Sequence, residues 1–264
     1  MKVDFRGLFA DDDYVVVTAH RGFSGKFPEN TLLAFDEAVK LGVDCLEFDL
    51  RATKDLTPIV LHDETLDRTS DGSGTPNNYS LAELKKLNAS YFSGAPSDGT
   101  GKRLDAPTYP KMEIPTFREL LDSVPDSVAL NIQVYQTEPM KFLESICSLY
   151  DEFDVYDRGY LTMSTFEDAR RVREINPKID LCVLERQWDL DEAILRELRD
   201  FGCDIIQPGR QVVTPEFMKL ANSMGFHANM FFSNTREDNE KFISYGLRGI
   251  LTDNPDILID QLGR

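Results

Sequence analysis

Two histidines, an arginine and two acidic side chains in the first quarter of the chain have the types and spacing that phosphate chemistry needs. His20 and Arg21 follow the run "VVVTA" (15–19), Glu47 and Asp49 lie two apart in "VDCLEFDL" (43–50), and His62 and Asp63 end "PIVLHD" (58–63). Carboxylates at i and i+2 of a strand leave it on one face, where they can share a hard divalent cation such as Mg2+ or Ca2+, which prefers oxygen ligands. Arg21 carries the planar fork that matches a phosphate. Two imidazoles, which titrate near neutrality, can act as acid and base on a phosphoryl centre. This combination describes metal-assisted cleavage of a phosphodiester.

The elements that must position these residues alternate along the chain. Strand-like runs at 15–19, 43–50, 58–63, 128–134, 159–163, 180–184, 204–208, 226–232 and 248–253 are mostly separated by helical stretches near 31–41, 139–150, 166–175, 190–201, 214–224 and 236–245. That alternation predicts a parallel α/β protein, with a (β/α)8 TIM barrel over residues 1–264 as the leading form and a doubly wound open sheet second. In a barrel the C-terminal strand ends form the active-site face, so His20, Arg21, Glu47, Asp49, His62, Asp63 and Gln133 would meet in one cleft. Nine strands are one too many. The link from Asp49 to Ile59 is too short for a helix, so 43–50 and 58–63 form a hairpin, or the chain recrosses in extended form and another candidate lies outside the ring; on either route Asp49 and His62 converge. Residues 70–115, rich in Gly, Ser, Asp and Pro around a short helix near 81–87, read as a long rim loop or lid.

Composition narrows the partners. A formal charge of -17, from 46 acidic and 29 basic residues, repels nucleic acid and anionic lipid at long range, so neither a nucleic-acid partner nor stable membrane association is expected. No apolar run is long enough to span a bilayer and the N-terminus has no secretory pattern, which predicts a cytoplasmic protein acting on a small molecule. Cys45, Cys147, Cys182 and Cys203 form no CxxC pair and read as buried free thiols. The oligomeric state is not encoded in any pattern of this kind.

From Ala19 to Gly74 the order HRG, PENT, ExD, TxD, VxHD and RT resembles the glycerophosphodiester phosphodiesterases, and "YGLRGILTDNPDIL" (245–258) looks like the closing strand and Thr-Asp-x-Pro turn of that family. The resemblance implies a phosphodiesterase barrel that splits glycerophosphodiesters into sn-glycerol 3-phosphate and an alcohol. It makes His20 and His62 the catalytic pair, Arg21 the phosphate ligand, and Glu47 and Asp49 two ligands of one divalent cation. The family's third ligand is a glutamate, where this chain has Gln133, and Tyr135 stands where a phosphate-contacting lysine is expected. Gln133 is then either a ligand through its amide oxygen, with weaker hold on the metal, or a hydrogen-bonding neighbour. Phe231 begins "FFSN" where the family often has Trp-Thr-Val-Asn. Trp188, the one tryptophan, follows a strand and joins Arg21 and Phe231 as a substrate-binding residue, either as a wall for the alcohol or in ordinary packing. Glu29 would orient Arg21, Asp63 would support its neighbours, and His227 reads as a packed strand residue. The alternatives are a lipid-acting relative of the lysophospholipase D or sphingomyelinase D type, and a phosphodiester-binding barrel with little turnover.

Overall fold

The computed structural model describes residues 2–11, 13–91 and 103–264. Its strands are β1 (Val16–His20), β2 (Cys45–Ala52), β3 (Pro58–Val60), β4 (Ala129–Val134), β5 (Gly159–Met163), β6 (Leu181–Val183), β7 (Ile205–Ile206), β8 (His227–Met230) and β9 (Gly249–Thr252). Their order is β6-β5-β4-β2-β1-β9-β8-β7, parallel at every pairing in that series, with β6 and β7 coming together to leave a nearly closed barrel. The strands are buried on both faces, with apolar side chains outward against the helices and polar ones such as Thr18, Glu47, Asp49, Asn131 and Thr162 among those pointing into the barrel. The expected (β/α)8 barrel is the observed fold.

The ninth strand is the hairpin of the two routes left open by the sequence. β3 runs antiparallel to β2, pairing Leu50 with Val60 and Ala52 with Pro58. It occupies the edge of β2 that β1 uses lower down, so it stands above the ring rather than in it. Leu61 N donates to the carbonyl of Asp49 (3.0 Å), which brings His62 over the β2 carboxylates.

Helices α1 (Leu32–Leu41), α2 (Leu81–Leu84), α3 (Phe117–Ser123), α4 (Met140–Glu152), α5 (Phe166–Ile175), α6 (Glu192–Phe201), α7 (Pro215–Ser223), α8 (Arg236–Ser244) and α9 (Pro255–Gln261) follow in turn. Six of them start where a side chain can accept a backbone N–H: Thr31, Thr116, Thr165, Asp191, Thr214 and Thr235 cap α1, α3, α5, α6, α7 and α8. Such a cap contributes about 1 kcal/mol and fixes where the helix begins after each strand. The sequence reading assigns no helix to α3 or α9, although the Thr116 and Glu119 capping box is a legible start signal.

Between β3 and α3 the chain builds a small apolar cluster of Ile59, Leu61, Leu66, Leu84, Ala89 and Ile114, which anchors the segment expected as a rim loop to the barrel. Residues 92–102, within that expected loop, lie outside the described residues. The opposite mouth is closed by the N-terminal segment. Phe5 packs into the barrel against Tyr160 (ring centroids 4.8 Å), and Arg6 ion-pairs with Asp180 and Asp204. His227 stacks near Phe9 at this lower end, so it is a packed residue far from the cleft. All four cysteines are buried free thiols.

Candidate active site

The His-Arg-Gly triplet is a sharp turn at the end of β1. Arg21 and Gly22 both adopt left-handed backbone (φ 56 and 76), and a Cβ on Gly22 would lie 2.7 Å from the Ala34 backbone of α1. Only glycine fits there without moving the helix. The turn aims the Arg21 backbone N–H at Glu47 Oε2 (3.0 Å) and places His20 level with Glu47, whose Oε2 is 3.8 Å from His20 Nε2. The other ring nitrogen of His20, Nδ1, donates to Asp253 Oδ1 (2.8 Å), beyond β9. Asp253 also accepts from Ser24 Oγ (3.0 Å) and Asn234 Nδ2 (2.7 Å). A carboxylate can only accept, so this contact fixes the tautomer with the proton on Nδ1 and leaves Nε2 as the proton-transfer atom.

The Pro-Glu-Asn-Thr run supplies three more parts. Glu29 accepts from Arg21 Nη1 (2.9 Å) and takes two further bonds from Arg68 (2.8 and 2.7 Å). Asn30, itself in left-handed backbone, donates from Nδ2 to Asp49 Oδ2 (2.8 Å), and Thr31 caps α1. Arg68 reaches on to Asp63 (2.6 and 2.8 Å), and Asp63 Oδ1 accepts from His62 Nδ1 (2.7 Å). Each histidine is thus held through Nδ1 by its own carboxylate. Glu29 and Asp63 are positioning groups, as the sequence suggested; Asp253 and Arg68 are ones it did not single out. The "TDNP" turn was the available signal for Asp253.

Glu47 and Asp49 are both buried, side by side on the inward face of β2. Burial, followed by the charge of Asp49, pushes the Glu47 carboxyl well above the ordinary carboxylate range. Asp49 is held below that range, because Arg21, His62 and the Asn30 hydrogen bond outweigh the effect of burial. The guanidinium of Arg21 does not fully balance the pair: its Nε is 3.3 Å from Asp49 Oδ2 but has no hydrogen-bond partner among the described residues, and Asn30 Oδ1 is another buried atom left without one there. Hard oxygen donors, short of positive charge and accompanied by an orphaned carbonyl oxygen, fit a hard divalent cation. Among the described residues no group of three or more His, Cys, Asp and Glu side chains is arranged to hold a metal, and the two carboxylates have an amide as a neighbour instead.

Gln133 is that amide. It lies opposite Asp49 in the β2–β4 register, half-buried, and its side chain has no hydrogen bond among the described residues. Two residues on comes Tyr135; burial, then the charge of Asp49, push its phenol well above the usual range. Its ring meets His62 edge-on (5.5 Å). Across the cleft Phe231 meets His20 edge-on (5.4 Å) and Trp188 stands against Phe231 (5.9 Å), half-exposed and lying over Gly209. Arg21, Phe231 and Trp188 therefore border the same cleft as the two histidines.

A parallel eightfold barrel carrying these groups at its C-terminal rim defines a TIM-barrel phosphodiesterase. The sequence profile of the glycerophosphoryl diester phosphodiesterase family matches residues 20–257. A glycerophosphodiester phosphodiesterase of Bacillus subtilis is 28% identical over 263 residues, covering 96% of this chain and 88% of its own. Another, from Caldanaerobacter subterraneus, is 30% identical over 260 residues, covering 93% and 96%. Among solved structures, an Oleispira antarctica phosphodiesterase in complex with the product sn-glycerol-3-phosphate has a TM-score of 0.80 at 23% identity, over 94% of this chain and 97% of its own, a likeness of fold. The chain belongs to the glycerophosphoryl diester phosphodiesterase family and is an enzyme of that kind. No helix among its described residues is long and apolar enough to cross a membrane.

Proposed function

We propose that this barrel hydrolyses glycerophosphodiesters to sn-glycerol 3-phosphate and a small alcohol, using His20 and His62 as the acid–base pair and one divalent cation, Mg2+ or Ca2+. The observation that carries the reading is the matched support of the two imidazoles. Each is held through Nδ1 by a carboxylate, with Nε2 as the remaining proton-transfer atom, and the two stand at successive levels beside Glu47 and Asp49.

Glu47, Asp49 and the Gln133 amide oxygen would hold the cation, whose chemistry there is to neutralise charge on the phosphoryl oxygens. Arg21 adds a guanidinium whose Nε has no acceptor among the described residues, which suits a phosphate oxygen. His20, level with Glu47 at the foot of the cleft, takes the proton from the attacking water or glycerol 2-hydroxyl. His62, nearer the rim, gives a proton to the alcohol oxygen as its bond to phosphorus breaks. With that assignment the glycerol lies on the side of Phe231 and Trp188, and the alcohol falls toward Tyr135 rather than against Trp188.

The test is release of sn-glycerol 3-phosphate from glycerophosphoethanolamine, measured with and without chelator. Release that stops in chelator and returns with Mg2+ or Ca2+ is the expected result. Tight binding of the ester with no release would favour a phosphodiester-binding barrel instead.

A further inference from the structure

Beside the catalytic groups lies a cavity of about 260 Å³ whose walls include Arg51, Glu64, Thr75, Asn77, Tyr135 and Gln136. Tyr135 is the partition between the two spaces: its ring meets His62 edge-on and it also lines the cavity. Arg51 follows Glu47 and Asp49 at the same two-residue step, so its side chain rises from the same face of β2, one level nearer the rim. Its guanidinium lies over the Tyr135 ring (4.6 Å) and Nε donates to the His62 carbonyl (2.7 Å). That bond uses one donor. The other guanidinium nitrogens have no carboxylate within ion-pair distance and no hydrogen-bond acceptor among the described residues.

This is unusual in its setting. Neighbouring Arg21 and Arg68 are both bound to carboxylates, and the chain as a whole carries a large excess of acid. Glu64 also lines the cavity, yet it does not pair with Arg51. The cavity therefore presents a fork-shaped cation and a separate carboxylate on different parts of its wall. An alcohol that carries an anion and a cation on adjacent carbons would satisfy both. The volume, at the small end of ligand pockets, suits a headgroup of a few heavy atoms rather than an acyl chain.

We propose that this cavity is the alcohol subsite and that Arg51 selects an alcohol bearing a carboxylate beside an ammonium, so that a serine ester is preferred to an ethanolamine ester. The inference rests on the glycerophosphodiester reading above and adds the substrate class. Serine and ethanolamine differ only in the carboxylate, which makes the pair a direct probe of Arg51. The carboxylate would take the free guanidinium nitrogens as a charge-assisted fork, while the ammonium faces Glu64.

The experiment compares kcat/KM for glycerophosphoserine and glycerophosphoethanolamine in the wild type, Arg51→Gln and Arg51→Lys. The wild type should prefer the serine ester by roughly 10- to 100-fold, the range for hydrogen bonds to a charged group. Arg51→Gln should bring that ratio close to one, and Arg51→Lys should retain part of it. Loss of the bond to the His62 carbonyl slows both esters alike and so leaves the ratio untouched; an unchanged ratio in Arg51→Gln would mean a purely structural role and overturn the proposal. The wild-type preference needs no variant to fold, and equal kcat/KM for the two esters also overturns it. Turnover of neither ester would remove the functional reading and the subsite together, whereas turnover without preference removes only the subsite.

Discussion

Asp253 and His20 are 233 positions apart in the chain and 2.8 Å apart in the fold, with the Nδ1 proton of His20 donated to Asp253 Oδ1. β1 and β9 are neighbours in the barrel, so the first strand and the last bring together a histidine and its orienting carboxylate. Ser24 and Asn234 hold the carboxylate in turn, and the side-chain Oδ1 of Asn234 accepts from the Asp253 backbone N–H (2.8 Å). A bond made between the ends of the chain forms only once the barrel closes.

Asp253→Asn tests what that bond does. The amide can donate to Nδ1 and so favour the tautomer with its proton on Nε2, which cannot accept one from the nucleophile. We expect kcat on glycerophosphoethanolamine to fall by roughly 10²- to 10⁴-fold, with KM little changed and the melting temperature lowered by only a few degrees. A variant with wild-type kcat would show that Asp253 does not set the state of His20.

A second test uses the strain between the two buried carboxylates. The Glu47 carboxyl is raised well above its unfolded value, chiefly by burial and next by Asp49. The folded state therefore binds more protons than the unfolded state, and stability falls as pH rises toward the folded value. Without a cation, wild type should lose stability above about pH 4.5, the ordinary glutamate range, while Glu47→Gln should not. In chelator at pH 8 the variant should melt higher than wild type, yet have no activity and gain no stability from added Mg2+ or Ca2+. Thermal melts across pH, with and without cation, check this; a lower melting temperature for Glu47→Gln in chelator at pH 8 would contradict it.

How far the sequence alone reached follows from how local each relationship is. His20, Arg21, Glu47, Asp49 and His62 lie in short motifs on one stretch of chain, and strand alternation by itself puts Glu47 and Asp49 on one face. Asp253 was harder because its partner comes from the far end, and its value appears only when β9 is placed beside β1. Arg68 and Glu29 form a relay between Arg21 and Asp63 whose charges, read singly, look like surface ion pairs. The two routes from Asp49 to Ile59 could not be separated by pattern, since hairpin and recrossing strands both alternate; pairing register decides it. Arg51 carries no motif signal of its own, because what marks it is that its fork makes no ion pair among the described residues.

The third test concerns the position where an amide replaces the expected acid. Gln133→Glu adds an anionic oxygen opposite Asp49, and a hard-cation site gains affinity with each carboxylate. Titration of Mg2+ or Ca2+ by calorimetry should give a lower Kd than wild type. In chelator the same change should destabilise the fold, because a third acid joins a buried pair already short of positive charge. An unchanged Kd would place Gln133 outside the cation's ligands.

The last test separates the two histidines. An alkoxide such as that of ethanolamine is a poor leaving group and needs a proton as its bond to phosphorus breaks, whereas a nitrophenolate departs without help. If His62 gives that proton, His62→Ala should lose roughly 10²- to 10⁴-fold in turnover on glycerophosphoethanolamine and far less on a nitrophenyl ester of glycerol phosphate. His20→Ala should be crippled on both, because the attacking hydroxyl still needs its base. Damage to the fold or loss of the cation would depress the two substrates together, so the ratio between them isolates the proton. The structure adds a further arm: Asp63→Asn, which alters the carboxylate at His62 Nδ1, should shift the ratio in the same sense as His62→Ala but by less, while Asp253→Asn should leave it unaltered. Equal defects of His62→Ala on the two esters would refute its role as the acid, and the reversed pattern would exchange the roles of His20 and His62.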